Sequence, residues 1–107
     1  MAVGIDIVYI PRLIGKENFA KRVLSEEEYK EYLARNKCPN FLAGRFASKE
    51  AFIKAQDFIE GNVPLSSIEV VVTSSDKPKI KFRNKLYDLS IAHDKDYAIA
   101  IVNIEEE

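Results

Sequence analysis

A central segment of this chain, residues 41–55 (FLAGRFASKEAFIKA), has the periodicity of a helix that is apolar on almost every side. With about 100° of rotation per residue, apolar side chains cover most of its circumference, so the rest of the chain has to enclose it. Glu50 and Lys54 fall in one gap of this apolar surface, and Arg45 and Lys49 fall in a second gap. Charges in such gaps are typical either of a solvated stripe on a half-buried helix or of a cleft lined by the helix.

The elements predicted around this helix give an α+β fold in a single domain, residues 1–107, because the chain is too short for a second core. Ser25 and Glu28 form a capping box at the start of one helix, and Pro39 is placed to begin the next. The predicted order is a strand buried on both faces (2–10), a short helix (12–24), a second helix (25–36), the central helix (about 40–58) and two hairpins (66–74 with 79–82, and 86–93 with 97–104).

Composition excludes several classes of protein. The formal net charge is −1, so we expect no nucleic-acid partner, and no run approaches the roughly 20 apolar residues of a membrane span. Cys38 is the only cysteine, which excludes a disulfide framework and a cysteine-rich zinc site. The apolar N-terminus lacks the basic start of a signal peptide, so a cytoplasmic protein is expected. A domain this small also gains burial by forming an oligomer.

Asp6 interrupts the apolar run of the first strand and shares a strand face with Gly4, Val8 and Ile10. Aspartate is a poor strand former, so this residue needs a reason. It is either a hydrogen-bonded core polar residue or one half of a two-carboxylate oxygen site with Glu50 on the central helix. Two carboxylates completed by water and phosphate oxygens suit Mg²⁺.

His93, the only histidine, ends a strand beside a turn, where it is either a structural hydrogen-bonding group or part of a site. The basic segment 12–22 places Arg12, Lys16, Lys21 and Arg22 around Leu13 and Phe19, which on its own is the pattern of a solvated amphipathic helix.

Three stretches in order, GIDIV (4–8), FLAGRFASKEAFIKA (41–55) and SIAHDKDYAIAIV (90–102), resemble the holo-[acyl-carrier-protein] synthases, the short bacterial class of 4′-phosphopantetheinyl transferases. The resemblance covers nearly the whole chain. It implies transfer of the phosphopantetheine group of coenzyme A to a serine of apo acyl carrier protein, with release of adenosine 3′,5′-bisphosphate. It also implies a need for Mg²⁺ and a homotrimer with active sites between subunits.

The same resemblance implies roles for individual residues. Asp6 and Glu50 would hold the metal, and Lys54 would bind phosphate and stabilise charge. Arg45 and His93 are similar to residues that hold coenzyme A phosphates, and Lys49 is a further candidate for this task. The segment with Arg12, Lys16, Phe19 and Arg22 is similar to the one that docks the acyl carrier protein.

Two departures from the family pattern affect the nucleotide contacts. Asp94 follows the histidine where the family often has Thr or Ser, and the loop after the central helix (56–64) has a single glycine, Gly61. Two other functions fit the same residues: a non-enzymatic module that binds a nucleotide or an acidic partner, and a Mg²⁺-dependent phosphohydrolase. Nothing beyond Asp6 and Glu50 forms an obvious two-metal cluster, which argues against the second.

Overall fold

A computed structural model of the chain describes residues 1–105, so residues 106 and 107 of the predicted domain lie outside the described part. The fold is α+β, as predicted, with a five-stranded sheet and one long central helix. The elements are β1 (Ala2–Tyr9), a 3-10 turn (Ile10–Leu13), α1 (Glu17–Val23), α2 (Glu26–Ala34), α3 (Pro39–Ala55), a second 3-10 turn (Leu65–Ser67), β2 (Glu69–Val72), β3 (Pro78–Phe82), β4 (Lys85–Asp94) and β5 (Tyr97–Ile104).

The sheet is antiparallel throughout, in the order β1-β5-β4-β3-β2, so both predicted hairpins are confirmed and β1 adds to the free edge of β5. α3 packs mainly across β1 and β5. The small side chains of Ala98 and Ala100 on β5 are fully buried, which leaves room for the helix. Because β1 and β2 are the two edge strands, the N-terminal motif lies at one border of the sheet.

The helix ends follow local chemistry. The Ser25–Glu28 capping box is present, and Pro39 occupies the first turn of α3. α1 begins only at Glu17, because Gly15 adopts a left-handed conformation (φ +72°) and separates the helix from the preceding 3-10 turn. α3 ends at Ala55, three residues before the predicted end, and the Gln56 side chain accepts hydrogen bonds from the next backbone amides.

β1 differs from its prediction as a strand buried on both faces. Gly4, Val8 and Ile10 point into the core, and Asp6 shares their face. The alternate residues are more than 40% exposed within the single chain; they are Val3, Ile5, Ile7 and Tyr9. An apolar run alone cannot distinguish a core face from a face that another chain covers. Among residues 1–105, no helix is long and apolar enough to cross a membrane.

Candidate active site

Gly4 allows α3 to lie directly on β1. A Cβ atom at this position would stand 2.0 Å from the Ala51 carbonyl oxygen and 2.8 Å from the Ala55 amide nitrogen. Any side chain would therefore force the helix off the strand. The glycine of the first motif thus sets the distance between the element that carries Asp6 and the element that carries Glu50 and Lys54.

Lys54 reaches from α3 to the first motif. Its Nζ donates to Asp6 Oδ1 at 2.9 Å and to the Ile5 carbonyl oxygen at 3.0 Å. The Asp6 side chain is 17% exposed and the Lys54 side chain 54% exposed, so the pair lies at the border between core and solvent. Helical side chains lean towards the N-terminus of their helix, which directs Lys54 back along α3. Two residues that are 48 positions apart in sequence are thereby joined.

Glu50 lies one turn before Lys54 on the same side of α3 and is half-buried. Within residues 1–105 its carboxylate has no hydrogen bond or ion pair. Asp6 and Glu50 fit Mg²⁺, which needs only one or two protein carboxylates and completes its shell with water and phosphate oxygens. No group of three or more acidic, histidine or cysteine side chains in the described part could enclose a metal ion. The donor set therefore favours a metal shared with a phosphate ligand.

His93 meets the first half of α3. Its Nε2 lies 3.1 Å from the Asn40 carbonyl oxygen, and a Cβ at Gly44 would stand 3.2 Å from the same nitrogen. Because a carbonyl can only accept, Nε2 carries the proton in this contact. The residue is otherwise exposed, at the end of β4. Gly44 thus makes room for the imidazole as Gly4 makes room for the helix.

Arg45 follows Gly44 and lies against an aromatic ring. Its guanidinium carbon is 4.2 Å from the centre of the Phe41 ring, and that of Arg35 is 5.1 Å from the same centre. Arg45 Nε is buried and has no hydrogen-bond partner among residues 1–105. Burial lowers the pKa of Arg45, while the charges of Glu31 and Glu28 oppose the shift. A buried donor without a partner is suited to an incoming anion.

The candidate site residues form two separate groups along α3. Asp6, Glu50 and Lys54 lie towards its C-terminal end, whereas His93 and Arg45 lie near Gly44. Lys54 and Gly44 are separated by about 15 Å along the axis, at roughly 1.5 Å per residue. The single chain therefore joins Asp6 to Lys54, with Glu50 one turn earlier on α3, and it leaves Arg45 and His93 at the other group.

Lys49 does not belong to either group, contrary to the expectation that it contacts coenzyme A. Its side chain is 0% exposed, and Nζ donates to Glu28 Oε1 and to the Val23 carbonyl oxygen. Burial lowers the pKa of Lys49, and the Glu28 carboxylate opposes that shift. The helical periodicity places Lys49 beside Arg45. The acidic partner of Lys49 is Glu28 in α2, 21 residues earlier, and the periodicity of one helix cannot predict a partner on another element.

The basic segment is exposed as expected at Arg12, Lys16 and Arg22. Phe19 is instead half-buried and packs edge-on against Phe46, with ring centres 5.0 Å apart. The exposed apolar residue among these charges is Ile14, at 65%, which sequence reasoning missed. Ile14 lies next to Gly15, between the 3-10 turn and α1, and this position between two elements is the sequence feature that could have indicated its exposure.

A groove of about 850 Å³ opens at the C-terminal end of α3, where Ala55 and Gln56 line it. Its walls come from the loop that follows α3 and from the β3–β4 hairpin, and they include Asp57, Phe58, Arg83, Lys85 and Tyr87. Basic and aromatic groups therefore line the groove at the end of the helix that carries Lys54. Asp57, to which the sequence assigned no role, lines it.

Comparisons with known proteins agree on one family. The family model of the 4′-phosphopantetheinyl transferase superfamily matches residues 2–102. The holo-[acyl-carrier-protein] synthase of Oceanobacillus iheyensis is 37% identical, over 96% of this chain and 94% of that protein. The crystal structure of the Neisseria meningitidis holo-[acyl-carrier-protein] synthase superimposes with a TM-score of 0.80 at 31% identity, covering 94% of each chain.

A third similar protein adds a ligand. The structure of the Bacillus anthracis holo-(acyl-carrier-protein) synthase in complex with CoA (3′,5′-ADP) has a TM-score of 0.78 and 34% identity, covering 94% of this chain and 92% of that one. The sequence motifs, the fold and the similar proteins therefore all indicate the same family. The chain belongs to the 4′-phosphopantetheinyl transferase superfamily and is an enzyme of its holo-[acyl-carrier-protein] synthase family.

Proposed function

We propose that this enzyme transfers the 4′-phosphopantetheine group from coenzyme A to a serine of apo acyl carrier protein in a Mg²⁺-dependent reaction. The observation that carries the proposal is the meeting of Asp6 and Lys54 beside Glu50, where α3 crosses β1. The serine oxygen forms a bond to the phosphorus that bears pantetheine. The bond from that phosphorus to the bridging oxygen breaks, and adenosine 3′,5′-bisphosphate leaves.

Asp6 and Glu50 would hold the metal, which when bound would neutralise charge on the pyrophosphate oxygens. Lys54 would donate to a phosphate oxygen after leaving Asp6. Breaking the Asp6–Lys54 ion pair costs little free energy, because a pair with so exposed an ammonium contributes about 1 kcal/mol or less to stability. The serine proton would pass to Glu50 or to solvent water. Catalysis in this site is positioning and charge stabilisation, without a protein nucleophile.

Two further sets of residues are proposed to bind the coenzyme. The groove at the end of α3, with Arg83 and Lys85, offers room and positive charge for the nucleotide. Arg45 and His93 are the remaining phosphate ligands of the proposal, and they lie about 15 Å along α3 from Lys54. Because the family resemblance implies active sites between subunits, we propose that they serve the site of a neighbouring subunit. The non-enzymatic module and the phosphohydrolase gain no support, because the relatives and the family model are transferases.

Mass spectrometry tests this function directly. The enzyme is incubated with apo acyl carrier protein, coenzyme A and Mg²⁺, and the carrier protein is weighed. We expect a gain of one phosphopantetheine group that requires all three components and is absent when EDTA replaces Mg²⁺. Folded enzyme that gives no gain would overturn the transferase, and a gain in EDTA would overturn the metal requirement.

The exposed apolar face of β1 continues onto β5, which supports an assembly of copies of this chain; the homotrimer that we propose is the state implied by the family resemblance. The paired residues on this outer face are Ile5 with Ile101, Ile7 with Ile99, and Tyr9 with Tyr97. Ile5 and Ile7 are more than half exposed in the single chain. A continuous apolar patch of this kind is typical of a face buried in an assembly.

We expect Ile7→Lys to dissociate the assembly, because each subunit would bury an unpaired ammonium at the interface. Wild-type protein should sediment at three times the 12.2 kDa chain mass and the variant at one. Val72→Lys is the matched control, since Val72 is equally exposed but lies on the opposite edge strand. A trimeric Ile7→Lys variant would contradict this interface, and a monomeric wild type would contradict the trimer.

Carrier docking is assigned to the surface formed by Arg12, Lys16 and Arg22 around Ile14 and Phe19. Basic groups around an apolar anchor suit an acidic partner, because charge raises the encounter rate and the anchor sets affinity.

The double variant Arg12→Glu/Arg22→Glu should raise KM for acyl carrier protein by on the order of 10- to 100-fold and leave KM for coenzyme A nearly unchanged. Steady-state kinetics with each substrate varied in turn measure this. Reversal of two exposed lysines, Lys77 and Lys81, is the control; equal effects on both substrates would refute docking at this surface.

A further inference from the structure

A buried ion pair joins α3 to three other elements. Lys49 Nζ lies 2.5 Å from Glu28 Oε1 and 2.6 Å from the Val23 carbonyl oxygen. Glu28 is 4% exposed; its Oε1 also accepts from the Ser25 amide, and its Oε2 accepts from the Val70 amide at 2.8 Å. The pair thus connects the end of α1, the start of α2, the edge strand β2 and the middle of α3.

The backbone groups around the pair fix its direction. Carboxylate oxygens meet two amide donors, from Ser25 and Val70, and the ammonium meets a carbonyl acceptor. If the carboxylate and the ammonium were interchanged, the ammonium would face the two amide donors and the carboxylate would face the carbonyl oxygen. Buried ion pairs often contribute little net stability compared with apolar residues of the same volume, but they do specify one arrangement over others.

α3 needs such a specification because apolar side chains surround most of it. Burial alone fixes the rotation and axial position of an all-round apolar helix only weakly. Ser48, the other fully buried polar residue of α3, hydrogen-bonds within the helix to the Gly44 carbonyl and so anchors it to no other element. Lys49 is bonded to α1 and α2, and it directly precedes Glu50.

We infer that Lys49 and Glu28 are positioning residues, which set the rotation of α3 and thereby the place of the Glu50 carboxylate relative to Asp6. This inference rests on the proposed function, since it assigns the pair a part in the turnover of that same site. Neither residue touches a substrate in this arrangement. Because a displacement of about 1 Å in a catalytic group can lower a rate by on the order of 100-fold, the pair would influence turnover from within the core.

The test removes both charges together, so that no unpaired charge is left buried. In Lys49→Met/Glu28→Gln we expect kcat to fall on the order of 10- to 100-fold, with KM for coenzyme A within about two-fold of wild type. Turnover is measured well below the melting temperature of each protein, with folding checked by circular dichroism. Ser48→Ala is the matched control, because it removes the neighbouring buried polar group without touching the pair; its kcat should equal that of wild type.

A purely structural pair would give the opposite kinetics. The double variant would then melt at a lower temperature yet turn over like wild type when folded, and that result would overturn the inference. Glu28→Asp covers the case in which the double variant fails to fold, since it keeps the charge and shortens the side chain by one methylene. A folded Glu28→Asp variant with wild-type kcat would also overturn the inference. A wild-type enzyme that modifies no carrier protein would instead overturn the proposed function, and the inference with it.

Discussion

Glu50→Gln lowers kcat by on the order of 10³-fold or more in our expectation, while the fold and the melting temperature stay close to wild type. The amide has nearly the shape of the carboxylate but no charge, so Asp6 would be the only protein carboxylate left for the metal. Glu50 has no hydrogen bond or ion pair within residues 1–105, so the change breaks no contact that holds the fold. The loss should therefore appear in turnover and in the Mg²⁺ concentration that gives half-maximal rate.

The matched control for this variant is Glu26→Gln, which neutralises an exposed carboxylate at the start of α2. It should leave kcat and the Mg²⁺ dependence unchanged. Asp6→Asn should resemble Glu50→Gln in kinetics, but it also removes the partner of Lys54. A Glu50→Gln enzyme with a near-wild-type rate would mean that the metal is held elsewhere.

Gly4→Ala should have the largest effect on stability. The new methyl group would meet the backbone of α3 at Ala51 and Ala55, at distances that no rotamer change can relieve. The helix has to move away from β1, and overpacking of this kind costs about 3 kcal/mol or more. For a domain of this size we expect the melting temperature to fall by roughly 10–20 °C. The same movement would separate Lys54 and Glu50 from Asp6, so activity should be lost even in the fraction that stays folded.

Gly44→Ala is the control for this prediction, because it places the same methyl group elsewhere on α3. Its neighbours are the His93 imidazole at 3.2 Å and an Ile91 methyl group, which are side chains that can shift. Alanine also favours the helix by up to about 1 kcal/mol over glycine. Thermal unfolding of the two variants side by side measures the difference. If Gly4→Ala melted no lower than Gly44→Ala, the close approach of α3 to β1 would be refuted.

The parts of the fold that local patterns predict are those governed by local chemistry. The Ser25–Glu28 box, Pro39 and the alternating strands of the hairpins depend on neighbours within a few residues. The end of α3 was predicted too late because Phe58 continues the apolar pattern. In the structure Phe58 packs on Phe52 and Tyr87 from the loop. Phe58 thus makes its ring contacts without belonging to the helix, and it remains 41% exposed.

The candidate site was predictable only in part, for a similar reason. Asp6 was conspicuous because a carboxylate in an apolar strand requires a partner, and Lys54 on the packed helix provides one. Lys49 carries the same charge on the same helix, yet the burial of its side chain depends on Glu28, far away in sequence. Phe19, the expected apolar contact of the basic segment, is instead half-buried because it packs on Phe46, whereas Ile14 is exposed. Long-range packing decided these positions.

The two lysine contacts of α3 also bear on how the sheet resists aggregation. Edge strands normally offer a row of free amide and carbonyl groups on which a stray chain can add. On edge strand β1, Lys54 donates a hydrogen bond to the Ile5 carbonyl. On edge strand β2, the Val70 amide donates to the Glu28 carboxylate, which is itself paired with Lys49. Both contacts are made by charged side chains, and a further strand that pairs with either edge strand would have to displace them. Lateral growth of the sheet is thus hindered at both borders, at one by the candidate site residue Lys54 and at the other by the buried Lys49–Glu28 pair.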